Sequence, residues 1–151
     1  MLLKTHFAIA ILIILLFLQQ INNKIIFIIM VLVGTVIPDL DNPNSVFGKF
    51  IVFRPMQFFF KHRGILHSLT VALFISVLIA IFFPIFSLGF FLGYGIHLFV
   101  DAFTKDGIRP FWPLKILAKG PLVTGGKIEE AIFFVLMFLN VAVFFILFVI
   151  S

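Results

Sequence analysis

Five apolar runs constrain this chain more than any other feature: Phe7 to Leu18, Ile25 to Ile37, Leu69 to Phe86, Leu88 to Val100 and Ala131 to Ile150. Runs so rich in Leu, Ile, Val and Phe, following one another across short breaks, need hydrocarbon as their solvent. Composition agrees, since 63% of the 151 residues are hydrophobic, 24 are phenylalanine and only 11% are charged. The mean hydropathy is +1.30. The expected fold is an all-α integral membrane protein of about five transmembrane helices. Too little polar sequence remains for a second unit, so residues 1–151 read as a single membrane-embedded domain.

Only the last run is long enough to span alone. The others approach the roughly 20 residues of a span when polar flanking residues join the helix, as Lys4, Thr5 and His6 would for the first. Polar motifs therefore belong at or just inside the membrane interface. Breaks are predicted at Gln19 to Lys24, at Pro38 with Pro43, at Gly64, at Pro84 to Ser87 and across Gly107 to Gly126. The short 83–88 connection makes helices three and four an antiparallel hairpin. The start "MLLKTHF" resembles a signal peptide, but "QQINN" offers no small-residue cleavage site, so a retained first helix is expected. "SVFGKFIVFRPMQFFFK" mixes aromatics with spaced cations, as a segment lying on the membrane surface does.

Five spans place the N-terminus and the 38–64 and 104–127 loops on one face. Of the 11 Lys and Arg, Lys24 alone falls on the other. The excess of cations predicts that the first face is cytoplasmic and the C-terminus outside. The basic pI of about 9.9 is then explained by orientation in the bilayer, and nucleic-acid binding is not expected.

The same face collects the chain's chemistry. His6 opens helix one, Asp39 and Asp41 follow helix two, His62 and His67 precede helix three, and His97 and Asp101 end helix four. Cysteine is absent, so a metal must be held by imidazole and carboxylate. His97 and Asp101, four apart, share a helix face and form a two-residue clip, or else a plain histidine–carboxylate hydrogen bond. "PDLDNP" holds Asp39 and Asp41 between prolines, in an extended or turn geometry that aims both acids at one site, or in an aspartate-rich helix cap. Acids at membrane depth cost roughly 2.5–3.5 kcal/mol on insertion scales and need a partner such as a metal.

His62 and His67 lie five apart, so both reach one ion only if the chain bends near Gly64. His62 is the better ligand candidate, and His67 is expected to hold a ligand in place or contact substrate. Arg63 offers a planar fork that matches phosphate, or serves as an interfacial anchor; Lys61 stands beside it. Glu129 is a possible additional ligand, with favourable placement at a helix N-terminus as the alternative. Trp112 reads as an interface anchor.

Taken together, "PDLDNPNSVFG", "HRGILHSL", "GYGIHLFVDAFTKDG" and "FWP", in this order between apolar runs, resemble the LexA-regulated, membrane-bound metal-dependent hydrolase family, the YdjM-like proteins. The match runs from His6 to about Glu129. It implies a helical membrane protein of hydrolase activity centred on His6, Asp39, Asp41, His62, His67, His97 and Asp101. The His-x-x-x-Asp helix, with an upstream histidine and Pro-Asp, is also similar in part to helical zinc-dependent phospholipases C and single-strand-specific nucleases. No histidine follows Asp101, so one or two ions are implied rather than three. Zinc suits the ligands best, with manganese or iron compatible.

The expected activity is hydrolysis of a phosphoester in a membrane lipid or lipid-linked substrate. Asp39 or Asp41 would act as base, and Arg63 and Lys61 would offset phosphate charge. Two alternatives are a structural or adaptor membrane protein with a structural metal, and an ion transporter. Transport is disfavoured because no ionisable residue occurs in the outer half of any run.

Overall fold

The computed structural model describes residues 1–59 and 63–150. All five apolar runs become helices: α1 (Leu3–Phe17), α2 (Lys24–Val36), α4 (Leu69–Phe82), α5 (Pro84–Ala102) and α6 (Lys127–Phe145), with α3 (Arg54–Phe59) a short helix in the second loop. No strand occurs among the described residues, where pairing is limited to isolated bridges at Thr104–Leu122 and Ile108–Ala118. The third run ends earlier than expected. Phe83 leaves the helix and Pro84 opens α5, because proline at the first helical position gives up an N–H that would lack a partner anyway. The α4–α5 hairpin is therefore joined at Phe83, and its ends meet where Tyr94 Oη donates to the Leu66 carbonyl at 2.6 Å.

Five full spans are not confirmed. Among the described residues, Pro84–Ala102, of 19 residues, and Lys127–Val149, of 23, are the two helices long and apolar enough to cross a bilayer. The 15 residues of α1 and the 13 of α2 reach only about 20 Å at 1.5 Å per residue, short of a hydrocarbon core of about 30 Å. At the break expected at Pro38, the chain after α2 folds as a 3₁₀ turn, Ile37–Asp41.

Burial is inverted relative to a water-soluble fold. Thr5, His6, Thr35, His67, His97, Asp101 and Glu129 are buried, while Phe74, Phe134 and Phe138 stand exposed. Only 6% of the Lys127–Val149 helix is buried against the rest of the protein. An apolar helix bare on nearly all sides is stable in lipid and not in water. Between helices, small residues allow close approach. A Cβ on Gly93 of α5 would lie 2.0 Å from the Val31 carbonyl oxygen of α2, so the two backbones touch where a side chain would stand.

The 3₁₀ turn Ile51–Phe53 and α3 carry the expected surface segment. Ile51 and Phe58 are exposed, and Gln57 Nε2 ties the segment down by donating to the Leu40 and Gly48 carbonyls at 2.9 and 2.6 Å. The 104–127 loop folds back on itself through paired hydrogen bonds between Ile108 and Ala118, both 2.9 Å. It caps the end of the bundle at which α1 and α6 begin and α5 finishes.

Candidate metal centre

Four elements deliver the cluster to that end of the bundle. His6 sits in the opening turns of α1, Asp39 in the 3₁₀ turn after α2, His67 in the 3₁₀ turn Ile65–His67 before α4, and His97 and Asp101 one turn apart near the end of α5. The His6 and His97 rings stack at 4.0 Å between centroids, and the His67 ring meets His97 edge-on at 5.4 Å. All three imidazoles are fully buried.

Each ring is oriented by its Nδ1. That of His97 lies 2.7 Å from the Thr35 carbonyl and that of His6 lies 3.1 Å from the Leu2 carbonyl. A carbonyl can only accept, so both Nδ1 atoms carry the proton and both Nε2 atoms present a lone pair. On His67, Nδ1 faces Asp41 Oδ2 at 3.5 Å, which turns Nε2 the same way. Among the described residues, the buried Nε2 atoms of His6 and His97 have no hydrogen-bond partner, a costly state for a buried polar group.

The Nε2 atoms converge on two carboxylates. His6 Nε2 is 3.4 Å from Asp101 Oδ1; His67 and His97 Nε2 are each 3.7 Å from Asp39 Oδ1 and 3.8 Å from Asp101 Oδ2. These separations are mostly too long for good hydrogen bonds. They match the spacing of about 3.4–3.6 Å between neighbouring ligands when four or five surround one ion at about 2.1 Å. Two overlapping triples result, His6–His97–Asp101 and Asp39–His67–His97, each with ligand atoms within 4.8 Å of one another. His97 has one lone pair to give, so two separate ions cannot each take it. The donor set fits a divalent metal.

Electrostatics outside the spanning helices point the same way. Burial pushes the Asp39 carboxyl up, but the neighbouring imidazoles, His67 foremost, outweigh it and hold Asp39 at about 2. Burial pulls His67 down, yet the carboxylates of Asp39, Asp41 and Asp101 around it raise it above 6.5. The pocket thus keeps acids ionised and attracts a cation, for which a proton on His67 competes.

A cavity of about 550 Å³ opens beside the cluster, with Asp39, Asp101, Arg63, Asp106, Asn42 and Ser45 in its wall. Arg63 adopts a left-handed φ of 60°. Its Nη1 donates to Thr104 Oγ1 and the Gly107 carbonyl, both at 2.9 Å, and its Nη2 lies 3.5 Å from Asp101 Oδ2. The Met1 amino group also contacts Asp101. Arg63 is therefore fixed at the cavity edge and is not a free interfacial anchor.

Of the residues singled out by sequence, His6, Asp39, His67, His97 and Asp101 come together. Asp41 points both its acidity and its burial at the back of His67, so the two aspartates do not share a face: the 3₁₀ turn puts His67 between them. His67, expected only to hold a ligand in place or contact substrate, brings its ring among the ligand atoms; His62 and Lys61 lie outside the described residues. Glu129 joins neither triple. Its carboxylate accepts from the Leu2 N–H at 2.6 Å, Thr5 Oγ1 at 2.9 Å and the Gly125 N–H at 2.6 Å, which ties the start of α1 to α6. Trp112 packs by its backbone N–H on Ser68 Oγ at 3.2 Å. Sequence reasoning missed the carbonyls of Thr35 and Leu2, since a backbone acceptor leaves no residue-type signal, and Asp106, an ordinary loop acid until folded.

The family described as YdjM inner membrane protein matches residues 1–151. Among curated proteins, the chain is 32% identical over 122 residues to the uncharacterized protein YvsG of Bacillus subtilis (strain 168), covering 77% of this chain and 76% of that one. It is 30% identical over 111 residues to the inner membrane protein YdjM of Escherichia coli (strain K12), covering 64% of this chain and 55% of that one, and equally similar to YdjM of Shigella flexneri. No solved structure matches the chain.

Proposed function

The chain belongs to the YdjM inner membrane protein family, and on that premise we propose that it is a membrane-bound, metal-dependent hydrolase acting on a phosphoester in a lipid or lipid-linked substrate. One observation supports this above others: three buried Nε2 lone pairs and two carboxylates converge beside a polar cavity at a helix end. A divalent ion, zinc first and manganese or iron next by ligand type, supplies Lewis acidity when bound, polarising a phosphoryl oxygen and acidifying water.

The chain's own groups do the rest. His97 would hold the ion together with His6 and Asp101 or with Asp39 and His67, and Asp41 faces the His67 ring from behind. Asp39 Oδ1 faces the histidines, and Oδ2 is the base that takes a proton from water. Arg63 steadies the phosphate at the cavity edge. The cation excess on the loops at this end supports a cytoplasmic cavity and a C-terminus outside.

The test is elemental analysis of purified protein together with phosphodiesterase and phosphatase assays. Stoichiometric metal that is lost in His97→Ala, and activity lost in Asp39→Asn with the protein still folded, are expected. Clean protein that retains and rebinds no metal overturns the proposal. A second reading, a purely structural metal, draws on the way the cluster joins α1, α4, α5 and the turn after α2. It requires the His97→Ala protein to unfold and Asp39→Asn to have no catalytic consequence.

A further inference from the structure

Beside the polar cavity runs a second groove of about 680 Å³ whose lining is wholly apolar. Phe7 and Ile11 of α1 form one wall, Val33 and Val36 of α2 the other, and Leu40 and Phe53 close it above. Ile11 and Val33 are exposed, so the groove opens sideways toward the surroundings of the helices.

Cavity and groove adjoin at three points. Phe47 lines both. Leu3 lines the cavity while Phe7, one turn further along α1, lines the groove. Asp39 presents its carboxylate to the cavity and the next residue, Leu40, borders the groove. An apolar groove thus lies beside the cavity that borders the histidines and acids. Each volume lies in the range of small-molecule sites, roughly 300–1,000 Å³.

We propose that the groove holds one hydrocarbon chain of a membrane lipid whose phosphorylated head lies in the cavity, so that the ligand enters laterally from the bilayer. What happens to the head rests on the hydrolase reading; the seat for the chain does not. Bilayer hydrocarbon is as apolar as the groove, so moving a chain from one to the other yields little affinity. The groove therefore acts on position. It sets the depth and direction of the chain and delivers the first polar atoms past Phe47 to Asp39.

The test uses hexadecyl phosphate carrying a diazirine in mid-chain, mixed into phosphatidylcholine vesicles that hold the full protein, with crosslinks mapped by peptide mass spectrometry. Labelling of Ile11, Val36 and Phe53 about tenfold above Phe134 and Phe138 on the exposed face of α6 is expected, as is its fall to the α6 level in Val36→Trp. Equal labelling of groove and α6, or a Val36→Trp protein that labels like the parent, overturns the proposal. Groove labelling without hydrolysis of any phosphoester upholds the chain seat and removes the hydrolase reading. Hydrolysis without groove labelling does the opposite.

Discussion

At the scale of single residues, the cluster separates groups that hold an ion from groups that aim the holders. His97 belongs to the first kind, since its Nε2 is common to both triples. His97→Ala is expected to abolish retained metal in elemental analysis. Asp41 belongs to the second, facing His67 Nδ1 from behind. Asp41→Asn keeps the volume and weakens the orientation, so metal affinity should fall about 10–100-fold by competition with a chelator, without abolition. Protons compete for the same atom. His67 is raised above 6.5 in the absence of metal, so affinity should be full at pH values above its raised pKa and decline as pH falls through it. A titration of metal binding between pH 8 and pH 5 that stays flat would contradict this.

At the scale of elements, the site depends on how closely α2 and α5 approach. Gly93 lets α5 lie against the Val31 carbonyl, and one turn later His97 Nδ1 reaches the Thr35 carbonyl at 2.7 Å. Gly93→Ala must push the helices apart, costing about 1–3 kcal/mol in denaturation in micelles and lowering metal affinity as well. Gly95, two residues on, has nothing within 4 Å of a built Cβ. Gly95→Ala should be neutral or stabilise by about 0.5–1 kcal/mol through helix propensity. Equal effects at the two glycines would refute the close-approach argument.

At the scale of the whole molecule, much phenylalanine is exposed while histidines, threonines and aspartates are buried beside an apolar core, so orientation in the membrane decides what the cavity meets. The chain has no cysteine, which makes single introduced thiols unambiguous reporters. Lys119→Cys, exposed in the cation-rich loop, should react with a membrane-impermeant maleimide only from the cytoplasmic side, and Asn22→Cys only from the outside. The opposite pattern would move the cavity, and its lipid, to the other leaflet.

The sequence by itself determined the solvent and the class. Hydrocarbon content dictates helices in a membrane, and proline, glycine and asparagine marked the breaks closely enough that every apolar run became a helix. It also gathered His6, Asp39, His67, His97 and Asp101 to one end, because alternating helices return each second connection to the same face. Span length was less legible: among the described residues Pro84–Ala102 and Lys127–Val149 are long enough to cross, while α2 stops at Val36 and passes into the turn that Pro38 marked. Which residues touch was decided only by tertiary structure. The turn after α2 placed His67 between its two aspartates, the α1–α6 pairing drew Glu129 away to the Leu2 N–H, and two backbone carbonyls chose the free nitrogen of His6 and His97. Such choices depend on angstrom-scale approach between segments remote in sequence, and residue type alone does not encode that distance.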